Sequence, residues 1–299
     1  MKIKGIIPPL ITPLLSSDKL DTKGLDKLIE HVIKGGVHAI FILGTTGEAP
    51  SLSYRLRYEL VERACKQIAG RLPVMVGITD TAFVESIKLA NFAKENGADA
   101  VVLAPPYYFT AGPDELREYI SDLMKEISVP LYLYNMPSMT KTMLDPETVK
   151  FASEIKGVKG IKDSSGNMTY FHMLKHKLKN NNDFAFYVGP EEILAESLFI
   201  GADGGVNGGA NFCPEVYVNL FNAAQTGKWE LAKELQNKIL DISSAIYTVG
   251  KHGSSYLKGV KCALSLLGIC SDTLAEPFHS FKNPEREKIK IRLKQLGLL

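Results

Sequence analysis

The chain has 299 residues, of which 45% are hydrophobic and 23% charged, with 25 glycines and 15 prolines. That balance excludes disordered, collagenous and fibrous classes and leaves enough apolar material for a sizeable core without staples. The formal charge is +2 with both signs mixed along the chain, so there is no basic stripe for nucleic acid and no polybasic patch for a membrane.

The start, MKIKGIIPPLITPLL, places two lysines before an apolar run. Pro8, Pro9 and Pro13 interrupt that run and no A-x-A site follows, so it reads as a first strand rather than a signal peptide. Further short apolar runs follow at Ala39–Leu43, Val74–Ile78, Ala100–Ala104, Pro130–Tyr134, Val158–Ile161, Phe184–Val188 and, more weakly, Gly204–Val206. They are rich in Val, Ile and Leu and lack clean polar alternation, as strands buried on both faces should. Amphipathic segments lie between them. Leu25, Leu28, Ile29, Val32 and Ile33 keep i, i+3, i+4 spacing up to Gly35-Gly36. Gly97 closes another helix and Pro113 opens the next. Asp145-Pro146-Glu147 supplies a cap, an N1 proline and an acidic first turn in order. After about Pro214 the strand signal stops, and Trp229–Ile246 and Tyr256–Leu267 read as helices. Strand–helix units of this kind predict an α/β protein, a (β/α)8 (TIM) barrel over 1–224 with a helical extension over 225–299. Seven units, or a doubly wound sheet, is the competing count.

The four cysteines, Cys65, Cys213, Cys262 and Cys270, form no CxxC pair, which argues for reduced thiols and a cytoplasmic setting. No apolar run reaches the 18 or so residues of a membrane span. His172 and His176 have i, i+4 spacing, but Met173 stands where a metalloprotease needs Glu, so an exposed helix face is the reading and no metal is expected. Gly201–Gly209 lacks GK[ST] and is no P-loop, though barrels often hold a phosphate near strands 7 and 8.

Lys162 ends the run Val158–Lys162. An ammonium resists desolvation, so a lysine there is either an amine tuned by burial to attack a ketone, a solvated side chain past the strand, or an ion-pair partner of Asp163. Gly44-Thr45-Thr46-Gly47-Glu48 either offers N–H and O–H donors to a carboxylate or is a capped turn. Tyr107-Tyr108 follow the fourth strand, and Tyr132 and Tyr134 share one face of the fifth; each phenol relays protons or fills a barrel layer. Placement joins these signals. Thr45, Tyr108, Tyr134, Lys162, Gly189 and Gly205 all fall at predicted C-terminal strand ends, which in a barrel form one mouth.

GTTGE at 44–48, PYY at 106–108, LYNMP at 133–137 and GIKDSSG at 160–166 stand in the order and spacing of one family. From about Ile6 onward the chain resembles dihydrodipicolinate synthase, N-acetylneuraminate lyase and the 2-keto-3-deoxy-sugar-acid aldolases. The resemblance implies that Lys162 forms a Schiff base with pyruvate and that Tyr134 shuttles protons. It implies that Thr45 links Tyr134 to Tyr108 reaching in from a neighbouring subunit. Thr46, with Gly47 and nearby amides, would hold the pyruvate carboxylate, and Val206 would add main chain. No cofactor is required, because the imine is the electron sink, and a homotetramer or dimer is expected.

The distal pocket departs from the synthases. Where they carry an arginine after YN-x-P-S this chain has Met139, which makes no bidentate carboxylate contact, and Lys141 replaces a usual glycine. Ser164 and the turn Gly189-Pro190-Glu191-Glu192 are similar to sugar-acid lyases, whose carboxylates bind hydroxyls. The expected reaction is therefore pyruvate-dependent cleavage or formation of a 2-keto-3-deoxy sugar acid. Dihydrodipicolinate synthase, sialic acid lyase, a dehydratase of the family and a non-catalytic keto-acid sensor are the alternatives.

Overall fold

The computed structural model describes residues 2–299. Eight parallel strands form one sheet: β1 (Gly5–Ile6), β2 (Ile40–Ile42), β3 (Val74–Gly77), β4 (Ala100–Leu103), β5 (Leu131–Asn135), β6 (Val158–Asp163), β7 (Ala185–Val188) and β8 (Gly204–Gly205). From β2 to β8 each strand pairs with its successor, and β8 returns to β1 through Gly5–Gly204 and Ile6–Gly205. The remaining seam, β1 to β2, is closed by a parallel bridge between Pro9 and Phe41, with the Leu10 amide donating to the Phe41 carbonyl at 2.8 Å. The sheet is a closed (β/α)8 barrel, and the open-sheet and seven-unit counts fall away. The signal at β8 is weak in the sequence because Gly204 and Gly205 have no side chains to give it, while their backbones still pair on both sides.

Strand alternation sorts the core into two sets. Ile40, Ile42, Val74, Val76, Val101, Leu103, Leu131, Leu133, Ile161 and Phe186 point outward into one large apolar cluster with the helices. Phe41, Met75, Val102, Tyr132, Tyr134 and Tyr187 point inward and fill the barrel. Each fully buried aliphatic side chain contributes roughly 1.5–3 kcal/mol. Tyr132 is a filler as its neighbours require: its ring lies 5.9 Å from that of Tyr187, whose hydroxyl donates to the Ile3 carbonyl at 2.6 Å.

The helices follow their sequence signals. Helix α1 (Thr22–Lys34) is capped by Asp21, which accepts from the Gly24 amide. Helices α2 (Tyr54–Ile68), α3 (Phe83–Glu95) and α4 (Pro113–Glu126) wrap the next three strands. A single turn, α5 (Pro137–Thr140), precedes α6 (Pro146–Glu154), where the Asp145 carboxylate accepts from the amides of Glu147 and Thr148 at 2.9 and 3.1 Å. Helices α7 (Met168–Lys177), α8 (Leu194–Phe199) and α9 (Pro214–Gln225) complete the ring. Helices α10 (Trp229–Tyr247), α11 (Ser255–Leu266) and α12 (Asn283–Gln295) follow; Ile239, Ile242, Ile246, Val260, Ile289 and Leu293 join the outer core cluster, so they pack on the barrel. No helix among the described residues is long and apolar enough to cross a membrane.

Candidate active site

Strands β5 and β6 carry the chemistry side by side. Their register pairs Tyr134 with Lys162 across the ladder, near the C-terminal end of each strand. Lys162 is 6% exposed, and its Nζ lies 4.0 Å from the centroid of the Tyr134 ring and 5.3 Å from that of Phe41. The side chain thus points into the barrel, not into bulk solvent, and two aromatic faces offset part of the ammonium's lost hydration, roughly 1–2 kcal/mol each at most. It has no carboxylate partner: neighbouring Asp163 faces the other way, accepting from Asn135 Nδ2 at 2.8 Å and from the Ser165 amide at 3.1 Å. Of the three readings open for Lys162, the ion pair with Asp163 is therefore ruled out.

The Tyr134 hydroxyl lies 3.1 Å from Thr45 Oγ1. Burial alone pushes the phenol's pKa up, but the Lys162 charge and hydrogen bonds from Thr45, Lys162 and Ser164 outweigh burial and bring it below the usual value. A phenol so placed is suited to pass a proton to and from an atom bonded to the lysine nitrogen.

The loop after β2 is held in an unusual shape. Leu43 and Glu48 both adopt left-handed backbone, with φ of 57° and 56°. Such non-glycine residues are strained and persist where the surroundings fix them, often at functional sites. Within the loop the Glu48 amide donates to the Thr45 carbonyl at 3.0 Å and the Ala49 amide to Gly44 at 3.4 Å. Among the described residues the amides of Thr45, Thr46 and Gly47 donate to no acceptor, an arrangement suited to an anion. Gly47 itself is backbone structure: its carbonyl accepts from Thr12 Oγ1 at 2.7 Å.

One cavity of about 220 Å³ gathers Thr45, Thr46, Tyr134, Met139, Lys162, Ser164, Gly189, Glu191, Glu192 and Val206. Of the residues singled out in the sequence, Gly47, Tyr107, Tyr108, Tyr132, Lys141 and Gly205 do not line it. A second cavity of about 330 Å³ shares Thr45, Tyr134, Met136, Met139 and Tyr256 with the first and extends over Leu257 and Phe278. Tyr107 lines this second space, whereas Tyr108 and Phe109 are 78% and 82% exposed on the rim. In its own chain Tyr108 does not meet Thr45 or Tyr134; it stands against the Phe109 ring beside Thr81 and Pro106.

The acidic turn divides its two carboxylates. Glu191 is 3% exposed, and both its oxygens are occupied: Oε1 accepts from Tyr217 at 2.5 Å and Tyr247 at 2.7 Å, and Oε2 from the Gly209 amide at 3.0 Å. Burial pushes its pKa up to about 7 against those donors. The expectation of a hydroxyl-binding Glu191 therefore changes: three internal donors hold its carboxylate, and Glu192, exposed at the same cavity, is the free one. Ser164 lies against Gly189, where a Cβ would come within 1.9 Å of Ser164 Oγ, so glycine is what admits the serine. Val206 spends its amide on the Val188 carbonyl at 2.8 Å, so what it can offer is its carbonyl. The glycine-rich 201–209 segment is packed rather than open: Cβ atoms at Gly208 and Gly209 would sit 1.8 and 1.9 Å from the hydroxyls of Tyr256 and Tyr217. Lys141 keeps the turn that a glycine would make, with φ of 58°.

Sequence reasoning missed Tyr256, whose hydroxyl lies 3.0 Å from Thr46 Oγ1, and Lys261, whose Nζ lies 2.5 Å from Glu48 Oε1. Both come from α11, beyond the barrel units. Lys261 sits in an otherwise apolar stretch, Gly259-Val260-Lys261-Cys262-Ala263, and that was the available signal.

A buried amine beside a phenol, with a turn of open amides across the mouth, suits a barrel lyase. The chain belongs to the Dihydrodipicolinate synthetase family, whose model matches residues 2–296. It is 30% identical over 300 residues to 4-hydroxy-tetrahydrodipicolinate synthase of Methanopyrus kandleri, covering 100% of this chain and 98% of that one. It is 29% identical over 301 residues to the "Probable 2-dehydro-3-deoxy-D-pentonate aldolase YjhH" of Escherichia coli K12, covering 100% and 99%. A solved dihydrodipicolinate synthase from Bacteroides thetaiotaomicron superposes with a TM-score of 0.96 at 56% identity, over 99% and 100% of the two chains. The Escherichia coli family member YagE, solved with pyruvate, gives 0.94 at 29%, over 99% of each chain. The chain is an enzyme of the aldolase and lyase type.

Proposed function

We propose that this enzyme cleaves or forms a 2-keto-3-deoxy sugar acid through a pyruvate imine on Lys162. The observation that carries the choice of substrate is the charge of the mouth: among the residues lining the two cavities, Lys162 is the one cation, and as the iminium its charge sits next to the pyruvate carboxylate rather than the acceptor's distal end. Met139 offers no counter-charge to a carboxylate or phosphate on the acceptor, and the exposed carboxylate of Glu192 repels one. Glu192 and Ser164 suit hydroxyls, and a site that binds a hydroxyl rejects the analogue without it by about 10⁴-fold. The acceptor is thus a neutral, unphosphorylated polyhydroxy aldehyde.

In the cleavage direction the Lys162 amine adds to the C2 carbonyl of the keto acid, and Tyr134 gives its proton to the departing carbinolamine hydroxyl, so that loss of water leaves the iminium beside a tyrosinate. Tyr134 takes the proton of the C4 hydroxyl as the C3–C4 bond breaks. The aldehyde leaves, and the bonding pair flows into the iminium to give the enamine. Protonation at C3 and hydrolysis release pyruvate and the free amine. Thr46 and the open amides of the 45–47 turn hold the carboxylate throughout. Tyr108, exposed on the rim beside its own mouth, completes the Thr45–Tyr134 relay of a neighbouring subunit in a dimer or tetramer. Free thiols at all four cysteines suit a cytoplasmic enzyme.

The second reading, dihydrodipicolinate synthase, is favoured by the likeness to the Bacteroides thetaiotaomicron structure. Condensation kinetics separate the two. Pyruvate with a neutral polyhydroxy aldehyde is expected to give the higher kcat/KM, and a higher value with aspartate semialdehyde would establish the synthase.

A further inference from the structure

Helix α11 lies outside the eight strand–helix units, yet it touches the loop after β2 twice. Tyr256, in its first turn, sets a hydroxyl 3.0 Å from Thr46 Oγ1. About one and a half turns later, Lys261 Nζ lies 2.5 Å from Glu48 Oε1, a charge contact rather than a directed hydrogen bond. Lys261 is fully buried and donates to the Thr273 carbonyl at 2.6 Å, while Glu48 Oε2 accepts from the Ala275 amide at 2.9 Å. Both partners are thereby anchored to the segment after α11.

The two contacts bear on one property of the loop. A threonine hydroxyl has a single hydrogen to give. When Tyr256 donates to Thr46 Oγ1, the Thr46 hydrogen is free for an anion. Burial pushes the Tyr256 pKa up, which keeps the phenol neutral and able to donate. Gly208 leaves the space its hydroxyl occupies. The second contact fixes Glu48 at the end of the turn, where its backbone is left-handed and its amide closes the turn on the Thr45 carbonyl at 3.0 Å. Strain of this kind survives only when the surroundings over-determine it, and a buried ion pair supplies that constraint.

We propose that Tyr256 and Lys261 are positioning residues for carboxylate recognition, because helix α11 holds Thr46 through one and Glu48 through the other. The proposal rests on the reading that Lys162 forms an imine with pyruvate. The test is borohydride trapping of labelled pyruvate on Lys162 across a pyruvate titration, with steady-state kinetics alongside. Two variants are used: Tyr256→Phe, which removes one oxygen, and the double variant Glu48→Gln with Lys261→Met, which leaves no uncompensated buried charge. In each, the pyruvate concentration for half-maximal trapping and the pyruvate KM are expected to rise about tenfold, the worth of one lost hydrogen bond to a charged group. The plateau of trapping, the aldehyde KM and kcat are expected to stay within about threefold. Unchanged half-saturation in a folded variant, or a fall in kcat at constant pyruvate KM, overturns the proposal. If the double variant does not fold, Tyr256→Phe decides alone. A wild-type protein that takes no label would instead overturn the imine reading, so the two failures are distinguishable.

Discussion

The proximal and distal halves of the mouth are built differently. On the proximal side Lys162, Tyr134, Thr45 and Thr46 are buried or half-buried, joined to one another or to α11 by close contacts, and seated on strand ends or a fixed loop. On the distal side Met139 is 57% exposed, Lys141 lies exposed in a left-handed turn, and Glu192 is exposed with no side-chain partner among the described residues. The difference separates reaction from substrate. The proposed imine chemistry needs fixed geometry and a dry amine, and the residues assigned to it are tied down. Choice among aldehydes needs only a change of lining, which a solvated rim permits without disturbing the core.

The largest effect should come from the proximal side. Lys162→Ala is expected to lower kcat by about 10⁴-fold and abolish pyruvate trapping, since no other lining residue is an amine. Turnover surviving that change would break the distinction outright. Tyr134→Phe keeps the ring over Lys162 and removes the proton carrier; a fall of roughly 10²–10³ in kcat with trapping retained is expected. Should trapping be lost as well, Tyr134 would be shaping the amine rather than relaying protons.

Glu191 tests the boundary between the halves, through stability rather than turnover. Its folded pKa is raised from 4.5 to about 7, so its contribution is fully present below pH 4.5 and is lost as the pH rises through 7. The conversion gives about 3 kcal/mol over that window. Chemical denaturation at several pH values should show the wild type losing that much relative to Glu191→Gln between pH 4.5 and 8. A difference independent of pH would place the proton elsewhere in the Tyr217–Tyr247 cluster. The smallest effect is distal. Met139→Arg is expected to raise kcat/KM for acceptors carrying a carboxylate roughly tenfold, one charged hydrogen bond, with neutral aldehydes little changed. No gain would show that position 139 faces away from the acceptor.

These differences also explain what could be read in the sequence. Strand ends, caps and motif order placed Lys162, Tyr134 and Thr45 together, because the barrel rule fixes which ends converge. Asp145 capped its helix as its neighbours in sequence required. What could not be read were contacts made across long separations. Thr46 meets Tyr256 at 210 residues' distance and Ala275 meets Glu48 at 227, and no local pattern encodes either. Glu191 looked like a substrate ligand because its turn, Gly189-Pro190-Glu191-Glu192, resembles the acidic turn of the sugar-acid lyases. Only the fold shows Tyr217 and Tyr247 arriving from later helices to claim its oxygens.

The first strand has two neighbours of very different age in the growing chain. Its partner at Phe41 is made early, but its partner at Gly204 is among the last of the barrel to emerge. Bringing ends so distant together is a late and entropically unfavourable step. The Phe41 ring that flanks residue 162 lies at the seam this closure completes. Acquisition of reactivity toward pyruvate during refolding should therefore trail the appearance of helical circular dichroism, a delay that stopped-flow trapping would time.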